Sequence, residues 1–352
     1  MNQVRIGNRT IGRGTPSFLV AEAGINHNGD VALAHKLIDA AAASGADAVK
    51  FQNFRTEEFV SDRALTYEYI SQGKKIVESQ WELFKRCELS FETLQQLKED
   101  CDRKKLVFFS TPSSEAGLND LLRLQVPLLK NGSDYLGHLP LIRAMARSGL
   151  PTVISTGMAT AQEICDAVSA FRAAGGKELV LLHCTSSYPT AAENAHLRKI
   201  ETLREEFQCP VGFSDHTEGT VGALGAVALG ACIIEKHFTL AKDMAGPDHR
   251  FSADPTEFRT LVQAVRTLER QLGRAELGPA DSERENRSMA KLSCVAARKL
   301  PAGYRLGIND IVFRRPGTGF PPAEAAALTK RRLSRTVPSG KIFEAADFRG
   351  EP

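Results

Sequence analysis

The stretch Phe213-Ser214-Asp215-His216-Thr217-Glu218, followed by Ile233-Ile234-Glu235-Lys236-His237-Phe238-Thr239, decides the fold. In both halves a brief apolar run ends in polar residues and a histidine, as is typical of a buried strand and its carboxyl end. The segment 220–230 between them is rich in alanine and glycine and predicts a crossover helix. Because parallel strands end on the same side of a sheet, we expect His216 and His237 to lie close together.

Two imidazoles with no cysteine nearby indicate a metal site for Mn²⁺, Fe²⁺, Co²⁺ or Zn²⁺ that is left open to substrate oxygens. The alternative interpretation is that each histidine is only a hydrogen-bonded residue at the end of a strand. Ionisable groups flank the pair, and burying so many of them is costly unless they serve a function. The functional interpretation is therefore favoured. The flanking groups are Asp215, Glu218, Glu235, Lys236 and Asp248.

The rest of the chain repeats this alternation of strand and helix. Eight apolar runs alternate with helical patterns over about 270 residues, which in size and order predicts a (β/α)₈ barrel of the TIM type. A doubly wound open sheet is the structural alternative, but the chain has eight units and no GxGxxG after the first strand. The predicted strands are 17–21, 47–52, 106–110, 126–129, 151–154, 179–182, 209–213 and 231–234.

Every predicted strand is followed by polar residues. In such barrels the carboxyl ends of the strands form the active-site face, so we expect these side chains on one rim. A purely structural pattern would scatter them over both rims. The residues are Glu22, Lys50, Gln52, Thr111, Lys130, Ser133, Ser155, Tyr188, Ser214, His216, Glu235 and His237.

Composition excludes several classes of function. The chain has 352 residues, a net charge of +3 and scattered basic residues, so we expect no nucleic-acid partner. The N-terminus has no apolar signal core, and no apolar run approaches the ~20 residues of a membrane span. Its seven cysteines are widely spaced without a CxxC pair. These features predict a cytoplasmic protein that does not bind membranes.

The composition shifts towards Gly, Pro, Ala and charge near residue 276. We predict a catalytic barrel over residues 1–275, a linker over 276–290 and a module of short strands and turns over 291–352. About 60 residues is small for a self-sufficient core, so we expect the module to pack on a partner subunit. A long insertion at 53–88, with the only tryptophan, Trp81, is typical of a lid or binding loop.

Seven motifs, in order along the chain, resemble the sialic acid synthase family, which comprises N-acetylneuraminate synthases and relatives that make legionaminic and pseudaminic acids. The C-terminal module, with Arg314-Arg315-Pro316-Gly317, resembles the antifreeze-like (SAF) domain of this family. The ordered set covers nearly the whole chain and is far more specific than any one motif. The motifs are Ala21-Glu22-Ala23-Gly24-Ile25-Asn26-His27-Asn28-Gly29, Val49-Lys50-Phe51-Gln52, Ser155-Thr156-Gly157-Met158, Leu182-His183-Cys184-Thr185-Ser186-Ser187-Tyr188-Pro189, Ser214-Asp215-His216-Thr217, Glu235-Lys236-His237-Phe238-Thr239 and Gly246-Pro247-Asp248-His249.

The resemblance implies a transferase that condenses phosphoenolpyruvate with the open-chain aldehyde of N-acetylmannosamine, releasing phosphate and giving a nine-carbon 2-keto sugar acid. A 2,4-diacetamido-trideoxy hexose, the acceptor of legionaminate or pseudaminate synthases, is the alternative. A 6-phosphorylated sugar is a third option, but the sequence identifies no basic cluster for its phosphate. The resemblance also implies Mn²⁺, with Mg²⁺ or Co²⁺ as alternatives, held by His216 and His237. It further implies a domain-swapped homodimer.

The same resemblance distributes the other rim residues among three roles. The implied catalytic residues are Glu22, Glu235 and Lys50, with the acid and base roles of the two glutamates left open. The implied phosphoenolpyruvate ligands are Lys50, Thr111, Lys130, Ser133, Ser155, Ser186 and Ser214. The implied sugar ligands are Gln52, Tyr188, Asp248 and Arg315. Arg315 matches an arginine that reaches into the partner's barrel, and Arg314 is the competing candidate.

Two positions depart from the family pattern. Ser186 stands where a neuraminate synthase can have asparagine, which removes one amide donor. Tyr135 stands where a glutamate is common, and the neighbouring Asp134 is the candidate to replace it. The change at Tyr135 bears on the sugar contacts more than on the phosphoenolpyruvate contacts.

Two other classes of function compete with this one. A class I aldolase would form a Schiff base on Lys50, Lys130 or Lys236, but its mechanism gives no role to the histidine pair. A non-catalytic carbohydrate- or ice-binding protein would use the C-terminal module, but it would not need a histidine pair and two glutamates. The metal-dependent condensing enzyme is therefore the favoured hypothesis.

Overall fold

The computed structural model describes residues 3–349, and the chain divides into two compact units, Met1–Gly273 and Arg274–Pro352. The strands of the larger unit are β1 (Gln3–Ile6), β2 (Arg9–Gly12), β3 (Phe18–Gly24), β4 (Ala48–Asn53), β5 (Thr66–Ser71), β6 (Lys74–Ser79), β7 (Val107–Pro112), β8 (Leu129–Asn131), β9 (Thr152–Ser155), β10 (Leu179–Cys184), β11 (Val211–Asp215) and β12 (Ile233–His237). Its helices are α1 (Val31–Ser44), α2 (Thr56–Phe59), α3 (Gln80–Cys87), α4 (Phe91–Arg103), α5 (Glu115–Arg123), α6 (Leu139–Arg147), α7 (Ala161–Ala173), α8 (Lys199–Phe207), α9 (Val221–Ala228) and α10 (Pro255–Leu272).

Eight parallel strands form one sheet in the order β7-β4-β3-β12-β11-β10-β9-β8. Its edge strands β7 and β8 also contact each other, so the sheet curves round into a barrel. Helices alternate with these strands and pack their apolar faces on the outside of the sheet. The predicted (β/α)₈ barrel is confirmed.

The strands run one to three residues further than the apolar runs predict. β11 continues to Asp215 and β12 to His237, so the polar residues at their ends belong to the sheet itself. The register pairs Ser214 with Glu235, Glu22 with His237, and Glu22 with Lys50. Backbone ladders therefore hold these side chains, which places them more rigidly than loops would.

The predicted strand 126–129 is misplaced, since β8 begins only at Leu129. Val126 and Leu128 are buried, as an apolar run should be, but they lie outside the ladder. Pro127 between them has no backbone N–H to donate to a neighbouring strand. The shift moves Lys130 from beyond the strand into its middle.

Helix α1 illustrates how local sequence sets the barrel's outer layer. The carboxylate of Asp30 accepts hydrogen bonds from the N–H groups of Ala32 and Leu33, which caps the first turn. Gly45 ends the helix in the left-handed region, with φ of 86°. The face between them buries alanine, leucine and isoleucine side chains against β3 and β4.

The hairpin formed by β1 and β2 closes the amino-terminal end of the barrel and is not predicted from the sequence. Its side chains Val4, Ile6 and Ile11 are buried in one cluster with Phe18 and Val20, near the starts of the barrel strands. The hairpin plugs one end of the barrel with apolar side chains. The polar rim at the other end stays open.

The insertion at 53–88 folds into α2, a hairpin of β5 and β6, and α3. Its hairpin tip reaches the segment that follows β12: Ser71 Oγ accepts a hydrogen bond from Gly246 N at 3.1 Å, and Gln72 donates to the carbonyl of Asp243. The insertion therefore lies beside the carboxyl-terminal mouth of the barrel, near Asp248. Within residues 3–349, no helix has the length and apolar character needed to cross a membrane.

The smaller unit encloses its own hydrophobic cluster, which includes Leu300, Leu333 and Phe343. Two buried carboxylates in it are paired: Asp310 with Arg298, and Asp347 with both Arg335 and Lys341. Residues 276–290 are exposed throughout, although part of them is helical. The elements of this unit are α11 (Arg284–Ala290), β13 (Ser293–Ala296), β14 (Ile311–Arg314) and α12 (Ala325–Leu328).

Candidate active site

Two lysines and two glutamates meet inside the barrel near the carboxyl ends of the strands. Lys50 Nζ lies 2.8 Å from Glu22 Oε1 and 3.8 Å from Glu235 Oε2. Lys130 Nζ lies 3.9 Å from Glu235 Oε1. None of the four residues is more than 5% exposed. Burying four ionisable groups costs free energy even when they are paired. A need for stability does not explain this cluster, and such clusters are typical of functional sites.

The two glutamates have opposite pKa shifts. Burial raises the pKa of Glu22 to about 7, although the charge of Lys50 opposes the shift. Burial acts on Glu235 in the same direction, but Lys130 and Lys50 outweigh it and leave the pKa of Glu235 below its usual value. Near neutral pH, Glu22 can therefore hold a proton while Glu235 stays ionised.

The lysines also differ. Burial would lower the pKa of Lys50, but Glu22 and Glu235 together raise it. Burial dominates at Lys130 and lowers its pKa, with only partial compensation from Glu235. Lys130 donates hydrogen bonds to Ser155 Oγ at 2.7 Å and to the carbonyl of Asn131. A buried ammonium whose hydrogen bonds go to neutral groups, with its nearest carboxylate 3.9 Å away, is suited to an incoming anion.

Serine hydroxyls cluster near the carboxyl ends of β8, β9, β10 and β11, on the side of the barrel that carries Lys130. Ser133 Oγ accepts a hydrogen bond from Gly157 N at 3.0 Å and lies 3.1 Å from Cys184 Sγ. Ser214 Oγ donates to Glu235 Oε1 at 3.0 Å. A Cβ at Gly157 would clash with Ser186 Oγ, which places that hydroxyl in the same cluster. The structure thus brings the predicted anion-binding serines of four different loops and strands together.

The two histidines also meet, with ring centroids 5.4 Å apart. His216 Nδ1 hydrogen-bonds to the carbonyl of Thr185 at 2.7 Å, and its Nε2 lies 3.4 Å from Ser214 Oγ. His237 Nδ1 is buried without a hydrogen-bond partner and lies 3.8 Å from Asp248 Oδ2. Burial lowers the pKa of both rings, so both are neutral near pH 7.

Neutral imidazoles with an unpartnered buried nitrogen fit a metal ion, because the free lone pair is what a metal needs. The part of the chain that the structure describes contains no group of three or more His, Cys, Asp and Glu side chains arranged to hold a metal. If a metal binds here, the two imidazoles would be the protein's contribution. The remaining ligand positions would be left for substrate oxygens and water.

An aromatic wall stands over the histidines. The centroid of the Tyr188 ring lies 4.2 Å from that of His216 and 5.1 Å from that of Phe251. The ring centroids of Phe251 and His237 are 5.3 Å apart. On the polar side, Gln52 Nε2 lies 3.4 Å from Glu22 Oε1, and burial raises the pKa of Asp248 to about 7. The predicted sugar ligands of the barrel therefore line the same mouth as the histidine pair.

The side chains of Tyr135 and Asp134 have different surroundings. Tyr135 stacks on Phe59 at 6.3 Å and on His138 at 6.1 Å, and it packs against the main hydrophobic core. Asp134 instead adds negative potential at Lys50. The carboxylate directed to the site on this loop is therefore that of Asp134, not a group at position 135.

Two predicted residues lie elsewhere. Lys236 points away from the barrel interior and pairs with Asp215 at 2.8 Å, so only Lys50 and Lys130 remain available for a Schiff base in this site. Arg315 follows β14 in the smaller unit, where it and Arg314 are exposed.

Sequence reasoning missed several groups that shape the site. Phe251 lies beyond the quoted motifs, whereas Gly157, Cys184 and Thr185 lie inside them without an assigned role. The backbone N–H of Gly157 and the carbonyl of Thr185 act through the main chain, which residue type does not reveal. The one sequence signal for Gly157, Cys184 and Thr185 was that they lie inside the quoted motifs.

Comparisons with known proteins agree with this geometry. A family model described as the NeuB family matches residues 37–277, and one described as the SAF domain matches residues 293–349. The chain is 40% identical to the N,N'-diacetyllegionaminic acid synthase of Legionella pneumophila, over 92% of each chain. It is 32% identical to a pseudaminic acid synthase of Campylobacter jejuni, over 94% of this chain and 96% of the relative.

Among solved structures, the chain is similar to the N-acetylneuraminic acid synthetase of Leptospira borgpetersenii, crystallised in complex with citrate. The sequence identity is 38% and the TM-score 0.73, over 81% of this chain and 94% of that one. By name, these relatives are synthases of diacetyllegionaminic, pseudaminic and N-acetylneuraminic acid.

Proposed function

Because this chain belongs to the NeuB family, we propose that it condenses phosphoenolpyruvate with the open-chain aldehyde of an N-acetylmannosamine-type sugar. The products are a nine-carbon 2-keto sugar acid and inorganic phosphate. The observation that carries the proposal is the placement of a buried lysine–serine cluster beside two neutral imidazoles at one mouth of the barrel. The lysine–serine cluster suits a small anion, and the imidazole pair suits the aldehyde that has to be activated.

Phosphoenolpyruvate carries a phosphate and a carboxylate, and each needs cations and donors. We assign the phosphate to Lys130 and the serines around it, namely Ser133, Ser155 and Ser214. We assign the carboxylate to Lys50, Thr111 and the Ser186 loop. Lys50 already donates to Thr111 Oγ1 at 3.3 Å, and the bound anion would replace part of its present pairing with Glu22.

A divalent ion, Mn²⁺ with Mg²⁺ or Co²⁺ as alternatives, would be held by His216 and His237 and when bound would supply Lewis-acid polarisation of the aldehyde oxygen. What supports this assignment is the burial of both rings and the unpartnered His237 Nδ1. The enol carbon of phosphoenolpyruvate is a weak nucleophile, so the aldehyde has to be activated.

The reaction needs one proton given and one proton taken. The C3 carbon of phosphoenolpyruvate bonds to the aldehyde carbon, whose oxygen takes a proton, and water adds to C2 with loss of a proton. We assign the donor role to Glu22, the carboxyl that can hold a proton, and the acceptor role to ionised Glu235. The C2–O bond of the hemiketal to phosphate then breaks, the hydroxyl proton passes to the departing phosphate, and the 2-keto acid remains.

A 2,4-diacetamido-trideoxy hexose is the second candidate acceptor. This sugar lacks a hydroxyl at C6 and carries two acetamido methyl groups, so it is more apolar than N-acetylmannosamine. The aromatic wall of Tyr188 and Phe251 beside His237 favours such groups. Gln52 and Asp248 would hold the polar groups of either sugar.

We also propose a domain-swapped homodimer in which Arg315 of one subunit completes the sugar site of its partner. Arg314 is the competing residue. Both arginines are exposed beside β14, and a guanidinium offers several donors in a fixed plane to sugar oxygens.

Phosphate release from phosphoenolpyruvate tests the proposal. The assay uses Mn²⁺ with N-acetylmannosamine or the diacetamido sugar in parallel, each with and without EDTA. We expect EDTA-sensitive release with at least one of them, and release with only the diacetamido sugar would establish the second candidate. No release with either sugar, in protein that binds phosphoenolpyruvate, would contradict the proposed acceptor class.

Single variants separate the metal from the rest of the site. His216→Ala and His237→Ala should each lower turnover on the order of a hundredfold or more, because they remove the activation of the aldehyde. His35→Gln is the matched control, since His35 lies on the outer helix α1, where it pairs with Asp100 of α4. Full activity of the wild type in EDTA would overturn the metal assignment.

A further inference from the structure

The residues that precede the two histidines form a buried ion pair on the outer face of the barrel. Asp215 and Lys236 are register partners across β11 and β12. The carboxylate faces α9, since a Cβ at Gly222 would lie 3.2 Å from Asp215 Oδ1. Side chains alternate along a strand, so the histidines that follow face the opposite way, into the barrel.

The pair is fully engaged by its surroundings. Lys236 Nζ lies 2.8 Å from Asp215 Oδ2 and donates to the carbonyl of Thr217 at 2.7 Å. Asp215 Oδ1 accepts from Thr217 N at 2.9 Å and from Thr217 Oγ1 at 2.7 Å. The side chain of Asp215 is 0% exposed and that of Lys236 is 6% exposed. The two residues on either side of His216 are thus tied to the residue next to His237.

The other hydrogen bonds of His216 do not reach the strand that carries His237. Thr190 N donates to the carbonyl of His216 at 2.8 Å, and Thr185 accepts from the ring. Both of these residues belong to the loop after β10. The contacts through Asp215 and Lys236 run directly between the two strand ends that carry the imidazoles.

We propose that Asp215 and Lys236 are positioning residues that set the distance and orientation between His216 and His237. The inference rests on the proposed function, in which those two rings hold the metal ion. A buried ion pair is a weak source of stability, because desolvation offsets the attraction. Its hydrogen bonds here join the chain on both sides of His216 to the residue before His237. Residues that orient metal ligands without contacting the metal commonly affect the affinity for the metal.

The test measures binding of Mn²⁺ alone to the purified full chain, by the loss of the free-ion EPR signal. Lys236→Met removes the cation, and Asp215→Asn keeps an acceptor for Thr217 while removing the charge. We expect the Kd for Mn²⁺ to rise on the order of tenfold or more in each variant. Phosphoenolpyruvate binding in EDTA should change less than about twofold, because its ligands face the barrel interior.

Arg266→Met is the matched control, since it breaks the 2.8 Å ion pair with Asp47 at the amino-terminal end of the barrel. It should lower the melting temperature and leave the Mn²⁺ Kd unchanged. Equal Mn²⁺ affinity in wild type and both variants would overturn the inference while leaving the proposed function standing. Equal loss of Mn²⁺ and phosphoenolpyruvate binding would also overturn it, as a folding effect. A wild type that does not bind Mn²⁺ would overturn both.

Discussion

At the scale of single residues, two identical carboxyl groups acquire different chemistry from their neighbours. Glu22 and Glu235 lie on adjacent strands and are both buried. Glu235 has both lysines close to it and accepts a hydrogen bond from Ser214, whereas Glu22 is paired with Lys50 alone and leaves Oε2 unpartnered. Splitting the pKa values of a carboxyl pair is how one site provides both an acid and a base near pH 7.

The raised pKa of Glu22 predicts a pH dependence of stability in the metal-free protein. Its pKa moves from 4.5 to about 7 on folding, so the folded state holds the proton more tightly. The stability from this carboxyl is present below pH 4.5 and is lost as the pH rises through 7. Between pH 5 and 8, Glu22→Gln should therefore lose less unfolding free energy than wild type, by an amount on the order of 3 kcal/mol.

Denaturant unfolding in EDTA at several pH values would measure that difference. Glu68→Gln is the control, because Glu68 lies on the exposed hairpin and its side chain is 60% accessible. It should follow the wild-type curve. If Glu22→Gln followed the same curve, Glu22 would be ionised throughout this range and could not be the proton donor.

At the scale of one element, the loop between β9 and α7 places its backbone in the lysine–serine cluster proposed to bind phosphoenolpyruvate. Gly157 N donates to Ser133 Oγ, and the absence of a side chain lets the loop approach the end of β10. A Cβ there would lie 2.6 Å from Cys184 Sγ and 2.8 Å from Ser133 Oγ, closer than such contacts occur. The glycine is required by this close approach rather than by an unusual φ angle.

Gly157→Ala should therefore raise the KM for phosphoenolpyruvate on the order of tenfold or more, while the cost in stability stays at about 1–3 kcal/mol. Steady-state kinetics with the preferred sugar would show this as a change in KM for one substrate. Gly137→Ala is the matched control, because a Cβ there meets nothing within 4 Å. An unchanged KM would mean that phosphoenolpyruvate does not bind at this loop.

At the scale of the whole molecule, the proposed catalytic residues and the proposed sugar ligand Arg315 belong to different units. The barrel unit contains both lysines, both glutamates and the histidine pair, whereas Arg315 belongs to the unit that starts at Arg274. If Arg315 acts in the partner's barrel, each complete site needs residues from two chains. Subunit mixing can detect this arrangement directly.

We expect Glu22→Gln and Arg315→Ala to be strongly impaired alone and to recover activity when denatured together and refolded. In the mixed dimer one barrel keeps Glu22 and receives Arg315 from the other chain, so random assembly restores about a quarter of wild-type activity. Arg314→Ala in place of Arg315→Ala identifies which arginine is needed. No recovery, with mixed dimers present, would mean that Arg315 acts within its own chain.

The sequence by itself determined the barrel architecture and which polar residues lie at the carboxyl ends of its strands. Short apolar runs separated by helical patterns define eight strand–helix units, and such periodicity depends only on which face each residue buries. Polar residues that end buried strands predict a shared site, because parallel strands end together. The failures have local causes: Pro127 shifted the start of β8, and the short hairpin of β1 and β2 gave no clear pattern before the first long strand.

Only the tertiary structure decided what each rim residue can do. Asp215 and Lys236 lie in the same motifs as the histidines, yet their side chains face the helices, and Asp134 rather than Tyr135 acts on Lys50. The difference between Glu22 and Glu235 depends on distances to two lysines from other strands. A sequence specifies which faces are buried, but the distance between residues far apart in the chain is set only when the barrel closes.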